Sequence, residues 1–303
     1  MGDFDHFLLT RFSAVLVPSG PPADEEWLWY RLGFFVDAAL PSVAGQRGAA
    51  PFRWLVLLDD RCPDDFRSQV EELAADGTFT PLWTHEPYRP GLFARAAAER
   101  SAAPYLITTR LDSDDAIATD HLAAVQGQFA RQERLFVNFT RGVQLDRSGA
   151  VYRRDDVSGP FLSLIERRNP GTPPLTVYAA AAHTRARALA PVLEVHAPPM
   201  WAQVVHGSNL MNIVNGPRIS PRVVNERFAL DLAYRREPSL PRLAAEKAVH
   251  RARLLALGIR HPSEPVKYAE GRLAYLRGTH LRPQGDGRTL MDRITARRRR
   301  PGA

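Results

Sequence analysis

Residues 112–115 read Asp-Ser-Asp-Asp, which places three carboxylates within four positions. Like charges that close repel one another unless water or a cation relieves them. Carboxylate oxygens suit a hard divalent cation. Such an ion can also ligate a diphosphate and neutralise a leaving group. The same tetrapeptide reads equally as a solvated acidic turn that caps the next helix. His206-Gly-Ser-Asn209 is a second feature. A neutral imidazole there could be a third metal ligand or touch a phosphate, with Gly207 allowing close backbone approach. The plainer alternative is a histidine that ends a short helix. His183 and His196 have no neighbouring motif to single them out. Arg11 and Arg110 close apolar runs, where a guanidinium can fork onto phosphate or a base carbonyl or pair with the local aspartates. Asp59 also ends an apolar run. It could accept a hydrogen bond from a nucleobase or ribose, or be an exposed loop aspartate.

Several other chemistries fail on spacing. An EF-hand counted from Asp112 needs Gly at its sixth position and Glu at its twelfth, and those positions hold Ile117 and Ala123. A haloacid-type phosphatase also carries Asp-x-Asp after a strand, but Asp115 replaces its usual small residue and no downstream Lys and acidic motif follows. Dinucleotide, P-loop, zincin and nucleophile-elbow signatures are absent from the sequence. Cys62 is the only cysteine, so no internal disulfide or paired-cysteine metal motif is available.

These residues need a scaffold, and the hydrophobic pattern describes one. Strands are expected over 6–13, 52–58, 78–84 and 105–111. Helices are expected from Glu25, capped by Asp24 and ending before Pro41; over 63–75 and 92–100; and from Thr119 to about Arg134. Strand and helix alternate four times, the pattern of an α/β domain with a mainly parallel sheet flanked by helices. Ligands of such sheets bind beyond the carboxyl ends of the strands, which is where Arg11, Asp59, Arg110 and Asp112–Asp115 fall. The second half reads as mixed and partly antiparallel. Strands are expected at 135–139, 143–145, 151–153 and 176–180, with a turn at Asp146-Arg-Ser-Gly149. A helix is expected over 239–257, stopped by Gly258.

The chain has 303 residues and a net charge of +7. Residues 221–303 carry 19 basic and 8 acidic side chains, and the preceding 220 carry 21 and 25, so the positive charge belongs to the last quarter. The organisation expected is a catalytic domain over 1–220, a basic helical extension over 221–280 and a disordered basic tail over 281–303. A basic end favours an anionic surface as partner, with Arg297–Arg300 as its densest run, although a solvated tail accounts for the composition equally well. No aromatic residues interleave with the basic ones as a base-stacking platform, so specific nucleic-acid recognition is not expected. No secretory signal and no stretch of about 20 apolar residues is visible, so a cytoplasmic protein is expected, with the basic end as the part that could contact the inner face of the membrane.

Taken together, Phe7-Leu-Leu-Thr-Arg-Phe12, Phe52-Arg-Trp-Leu-Val56 with Asp59, Ile107-Thr-Thr-Arg-Leu-Asp-Ser-Asp-Asp-Ala-Ile117, Gly159-Pro-Phe-Leu-Ser-Leu-Ile165 and Trp201-Ala-Gln-Val-Val-His-Gly-Ser-Asn209 resemble the bacterial putative rhamnosyltransferase family. The resemblance covers roughly residues 6 to 225. It implies a GT-A-like fold, a nucleotide-sugar donor, a Mn²⁺ or Mg²⁺ ion, and sugar transfer to a hydroxyl of a glycan or lipid-linked acceptor. It places Asp112 and Asp114 at the metal–diphosphate site, makes His206 a further metal ligand, and puts Arg11, Asp59 and Arg110 toward the nucleotide. If transfer inverts the anomeric centre, a base must take the acceptor proton, and Asp156 and Glu194 are the candidates. The enzyme alternative is a metal-dependent phosphohydrolase built on Asp112–Asp115. The non-enzyme alternative is an anionic-surface-binding protein.

Overall fold

Along the chain the elements are β1 (Phe4–Arg11), α1 (Glu25–Phe34), a π-helical turn (Phe35–Ala39), α2 (Leu40–Ala44), β2 (Phe52–Asp59), α3 (Asp64–Ala74), β3 (Thr80–Thr84), α4 (Gly91–Glu99) and β4 (Tyr105–Arg110). Then follow β5 (Ala116–Ile117), α5 (His121–Gln126), β6 (Arg134–Phe139), β7 (Arg141–Asp146), β8 (Val151–Asp155), β9 (Ser163–Arg167) and a 3₁₀ turn (Val177–Ala179). The last are α6 (Ala186–Leu189), β10 (Val192–Val195), β11 (Trp201–Val205), β12 (Arg218–Ile219), α7 (Arg222–Arg227) and α8 (Leu240–Arg260). This computed structural model describes residues 2–260 except 18–19, 147, 157–158, 170, 181–184, 207–213, 215 and 233–238. His183, the Gly207-Ser208-Asn209 part of the second motif, and the tail with Arg297–Arg300 therefore lie outside the described residues.

The expected α/β architecture is present. A seven-stranded sheet has the order β10-β6-β9-β4-β1-β2-β3. Its strands β4, β1, β2 and β3 run parallel, while β9 is antiparallel to both β4 and β6. Alternate residues of each strand face opposite sides, and the core divides accordingly. Leu8, Trp54, Val56 and Ile107 pack with Phe35, Phe66 and Leu122 on one side. Phe7, Leu9, Leu55 and Leu106 pack with Phe93 and Ala97 of α4 on the other. A second sheet, ordered β12-β8-β7-β11-β5, shares the first of these cores. It is mixed as expected, with β7 and β8 antiparallel and β11 parallel to β7.

Four local expectations are corrected. The first helix does not end before Pro41 but continues as a π turn and α2 to Ala44. Proline lacks the N–H that would bond to the carbonyl of Asp37, and the backbone N–H of Asp231 donates to that carbonyl instead, at 2.9 Å. The helix after Thr119 stops at Gln126, where Gly127 caps it, well short of Arg134. Residues 177–179 form a 3₁₀ turn rather than a strand, entered through Thr176 at φ 61°. Trp201–Val205 is no short helix but a strand inside the second sheet. Its Trp201 ring stacks on Phe161 at 4.9 Å and its indole N–H donates to the Phe139 carbonyl at 2.7 Å.

Beyond residue 220, α7 packs on the body through Val224 and Phe228, and the Thr119 N–H donates to the Arg227 carbonyl at 2.9 Å. Helix α8 runs past Gly258 to Arg260, tied to β12 by the Glu246–Arg218 ion pair at 2.9 Å. Its Val249 and Leu255 are exposed. Among the described residues no helix is long and apolar enough to cross a membrane.

Candidate active site

Strands β1, β2 and β4 are adjacent and parallel, so Arg11, Asp59 and Arg110 finish on one rim of the sheet. The Leu111 N–H donates to the Leu9 carbonyl at 3.1 Å, and the Asp115 N–H to the Asp112 carbonyl at 3.2 Å. The second bond curls Asp112–Asp115 into a tight turn at the end of β4. The four residues then take different partners.

Asp115 is a structural carboxylate. It is buried and accepts the backbone N–H of Val204 at 3.0 Å. Burial, then the neighbouring charges of Asp114 and Asp112, push its carboxyl well above the usual range. The bond to Val204, together with pairing of β5 to β11 at Ala116 and Ile117, sets the register of β11. That register carries His206, two residues beyond Val204, onto Asp114.

Asp114 is the hub. The His206 Nε2 lies 2.8 Å from Asp114 Oδ2, and the Arg31 Nη1 donates to the same oxygen at 2.6 Å. The other Arg31 terminal nitrogen donates to Ser113 Oγ at 3.0 Å. Helix α1 supplies the enclosure. Its Asp24 cap accepts the Trp27 N–H at 2.8 Å, as the sequence indicated. Trp27, Tyr30, Arg31 and Phe34 then share a face, spaced i, i+3, i+4 and i+7. Phe34 stacks on the His206 ring at 4.1 Å, Tyr30 meets it edge-on at 5.5 Å, and the Tyr30 hydroxyl donates to the His206 carbonyl at 3.1 Å. The Arg31 guanidinium lies 5.4 Å from the Trp27 ring centre. His206 is fully enclosed at 0% side-chain exposure, against 7% for Asp114 and 13% for Arg31.

Asp112 turns the other way. Arg110 grips it in a two-point fork at 3.0 and 2.8 Å. Burial opposes ionisation of Asp112, but the charges of Arg110, Arg11 and Arg31 outweigh it and hold its carboxyl below the usual range. Arg11 lies over two tyrosine rings, 4.8 Å from Tyr88 and 4.9 Å from Tyr178, and Arg110 lies 5.4 Å from Tyr178. The Arg11 Nε and the Tyr88 hydroxyl are buried with no hydrogen-bond partner among the described residues.

The remaining expected residues have partners of their own. Asp59 is buried, and Arg61 engages both of its oxygens, with the shortest contact at 2.6 Å. Burial raises its carboxyl, but the Arg61 bonds and charge prevail and hold it below the usual range. Asp156 follows β8, bonds through its N–H to the Thr140 carbonyl at 2.7 Å and pairs with Arg154 at 3.1 Å. Glu194 lies on the edge strand β10, buried in an ion pair with Arg187. His196 contacts the Thr140 hydroxyl. The turn therefore brings Asp114 and His206 together and leaves Asp112 beside them on Arg110. Among the described residues no three His, Cys, Asp or Glu side chains converge as a metal-binding group. The sequence reading missed Arg31, Tyr30, Phe34, Tyr88 and Tyr178. For the first three the available signal was the aromatic and basic stripe on one face of α1.

Solved structures with some likeness include Staphylococcus (S. aureus) TarS 1-349, with a TM-score of 0.39 and 12% identity over 66% of this chain and 60% of that one. The same protein in complex with UDP-GlcNAc gives a TM-score of 0.39 and 12% identity over 69% and 62%. HddC from Yersinia pseudotuberculosis, complexed with GMP-PN, gives 0.31 and 8% over 67% and 90%. The chain thus spans about three fifths of the length of TarS 1-349. No curated protein sequence matches significantly. The family described as "Putative rhamnosyl transferase" matches residues 22–216, more than half of the chain and the whole of the Asp114–His206–Arg31 hub, so the protein belongs to that family.

Proposed function

We propose that the protein transfers a sugar, rhamnose being the one its family name suggests, from a nucleotide-sugar donor to a hydroxyl of a glycan or lipid-linked acceptor. The observation that carries this reading is the enclosed Asp114–His206–Arg31 hub, at the strand ends where such sheets bind ligands. Asp114 and His206 fit a Mn²⁺ or Mg²⁺ ion as its two protein ligands, since such ions commonly take their remaining oxygens from phosphate and water. Bound there, the ion would supply charge neutralisation to the departing diphosphate.

The chain's own residues supply the rest. Arg110 holds Asp112 ionised at the turn, and Arg11, fixed by two tyrosine faces, offers a rigid cation on the nucleotide side. Asp59, bonded to Arg61, borders the same rim toward β2 and would meet the base or ribose. In transfer, the anomeric C–O bond breaks with its electron pair going to the diphosphate oxygen. The acceptor oxygen forms the new bond and loses its proton to a carboxylate. Of the two candidate bases, Asp156 is 22% exposed and Glu194 is 3% exposed, which favours Asp156 for a proton that must come from a bound acceptor. A phosphohydrolase using Asp112 as nucleophile is disfavoured by the Arg110 fork on both of its oxygens.

The test is a melting-temperature screen of nucleoside diphosphates and their sugars with Mn²⁺, followed by transfer assays with those that bind. One nucleotide series is expected to shift the transition by several degrees, corresponding to about 1–3 kcal/mol of linkage. Phosphate release from a simple monoester without any nucleotide shift would overturn the reading.

The basic end supports peripheral contact with an anionic membrane at the inner cell surface, with Arg251 exposed on α8 one turn before the exposed Leu255. Vesicles rich in anionic lipid are expected to co-sediment the full chain but not a chain truncated after residue 239, and to release it in high salt. Equal sedimentation of both chains would remove this contact.

A further inference from the structure

Arg31 lies on a helix rather than at a strand end, and no motif announces it. It nevertheless supplies the guanidinium nearest the hub. It touches Asp114 at 2.6 Å and Ser113 at 3.0 Å, and its Nη1 is 3.4 Å from His206 Nε2. Its Nε is buried with no hydrogen-bond partner among the described residues. Arg31 and His206 also crowd a single carboxylate oxygen of Asp114. A guanidinium has five donors in a planar fork suited to two adjacent anionic oxygens. Here it spends one on a shared carboxylate oxygen and one on a neutral hydroxyl. Its charge reaches Asp112 as well, where it helps hold the carboxyl ionised.

We infer that Arg31 is a diphosphate-binding residue of the donor site, resting on Asp114 until a phosphate oxygen takes its guanidinium. This rests on the nucleotide-sugar reading above. A diphosphate brings more negative charge than one shared carboxylate, and it presents the paired oxygens that the fork matches. A cation that follows the diphosphate stabilises the charge developing as the sugar departs. It also leaves Asp114 Oδ2 to His206 and to any ion held there. Trp27 lines the guanidinium and limits its travel, so the motion is a short swing of the side-chain end.

The experiment compares the wild-type chain with Arg31→Gln and Arg31→Lys in calorimetric titrations with UDP, GDP and dTDP, each set against its own nucleoside. Titrations are run with EDTA and with Mn²⁺. For the base that wild type selects, Arg31→Gln is expected to weaken the diphosphate about 10- to 100-fold and to leave the nucleoside unchanged. Arg31→Lys is expected to recover part of that loss, because it keeps the charge without the fork. The effect should be larger in EDTA, where no divalent ion shares the work. If both variants bind the diphosphate as wild type does, the inference fails while the donor assignment stands. Equal weakening of nucleoside and diphosphate would mean that Arg31 only holds the fold, and would overturn the inference too. If wild type binds none of the three diphosphates under either condition, the donor reading fails and this inference with it.

Discussion

Asp114→Ala is expected to lower transfer from the selected nucleotide sugar by on the order of 10²–10³-fold and to cost about 3 kcal/mol of stability. Both effects come from one geometry. Asp114 and Arg31 are only 7% and 13% exposed, so deleting the carboxylate strands a guanidinium in a site with little water. Breaking a buried pair from one side is far more costly than replacing both partners with apolar groups of similar shape. The double substitution Asp114→Leu with Arg31→Met should therefore recover most of the stability lost by the alanine variant while leaving transfer abolished. Chemical denaturation and initial transfer rates on the same preparations separate the two effects. Wild-type rates in the single variant, or recovery of transfer along with stability in the double, would remove Asp114 from the reaction and leave it a structural residue.

The parts of the fold that were legible in the sequence are those where one rule acts alone. Trp54–Leu58 is an unbroken apolar run because β2 is covered there on both faces, and such runs can be read without knowing their neighbours. The rim positions of Arg11, Asp59, Arg110 and Asp112 follow once β1, β2 and β4 are recognised as parallel. Elements decided by long-range partners were less legible. Helix α1 continues past Pro41 because a residue nearly two hundred positions away, Asp231, satisfies the carbonyl that proline cannot. Trp201–Val205 reads as a generic amphipathic stretch and becomes a strand through its bonds to β7 and β5. The site divides in the same way. Asp114 and His206 carry local motifs. Arg31 joins them only because Asp115 sets the position of β11 and helix α1 closes over the imidazole. Asp112 shows the converse limit: its place in the turn was readable, but its orientation toward Arg110 depends on side-chain pairing that spacing does not encode.

Mild acid is expected to destabilise the protein through two buried histidines that belong to the scaffold and not to the hub. Gln126 Oε1 accepts the Ala50 N–H at 2.7 Å, which orients its amide so that Nε2 donates to His6 Nδ1 at 3.1 Å. His6 Nε2–H must then donate to Thr109 Oγ1, at 2.8 Å, leaving the ring neutral. Burial, reinforced by the charge of His121, lowers its pKa to about 3. His121 donates from Nδ1 to the Met200 carbonyl at 2.9 Å, and its Nε2 has no partner among the described residues. Burial lowers this pKa to about 4, although the Met200 bond and the Asp120 charge act the other way. In the unfolded chain both rings titrate near 6.5. Between the folded and unfolded values the unfolded chain binds more protons, so stability falls as pH drops below about 6.5. At pH 5 each ring should cost on the order of 2 kcal/mol relative to pH 7. Two buried acids oppose this. Asp115 is raised by burial and then by its neighbouring carboxylates, and Glu166 by burial against bonds from Leu175 and Thr176. Each favours the folded state as pH falls through its own raised value. The wild-type curve therefore reports a sum, and His121→Asn isolates one contribution, because its amide can keep the donor to the Met200 carbonyl without titrating. Unfolding free energies from denaturant titrations at pH 7 and pH 5 should differ less in this variant than in wild type, by about 2 kcal/mol. Parallel pH curves for the two proteins would show that His121 is not held neutral in the core.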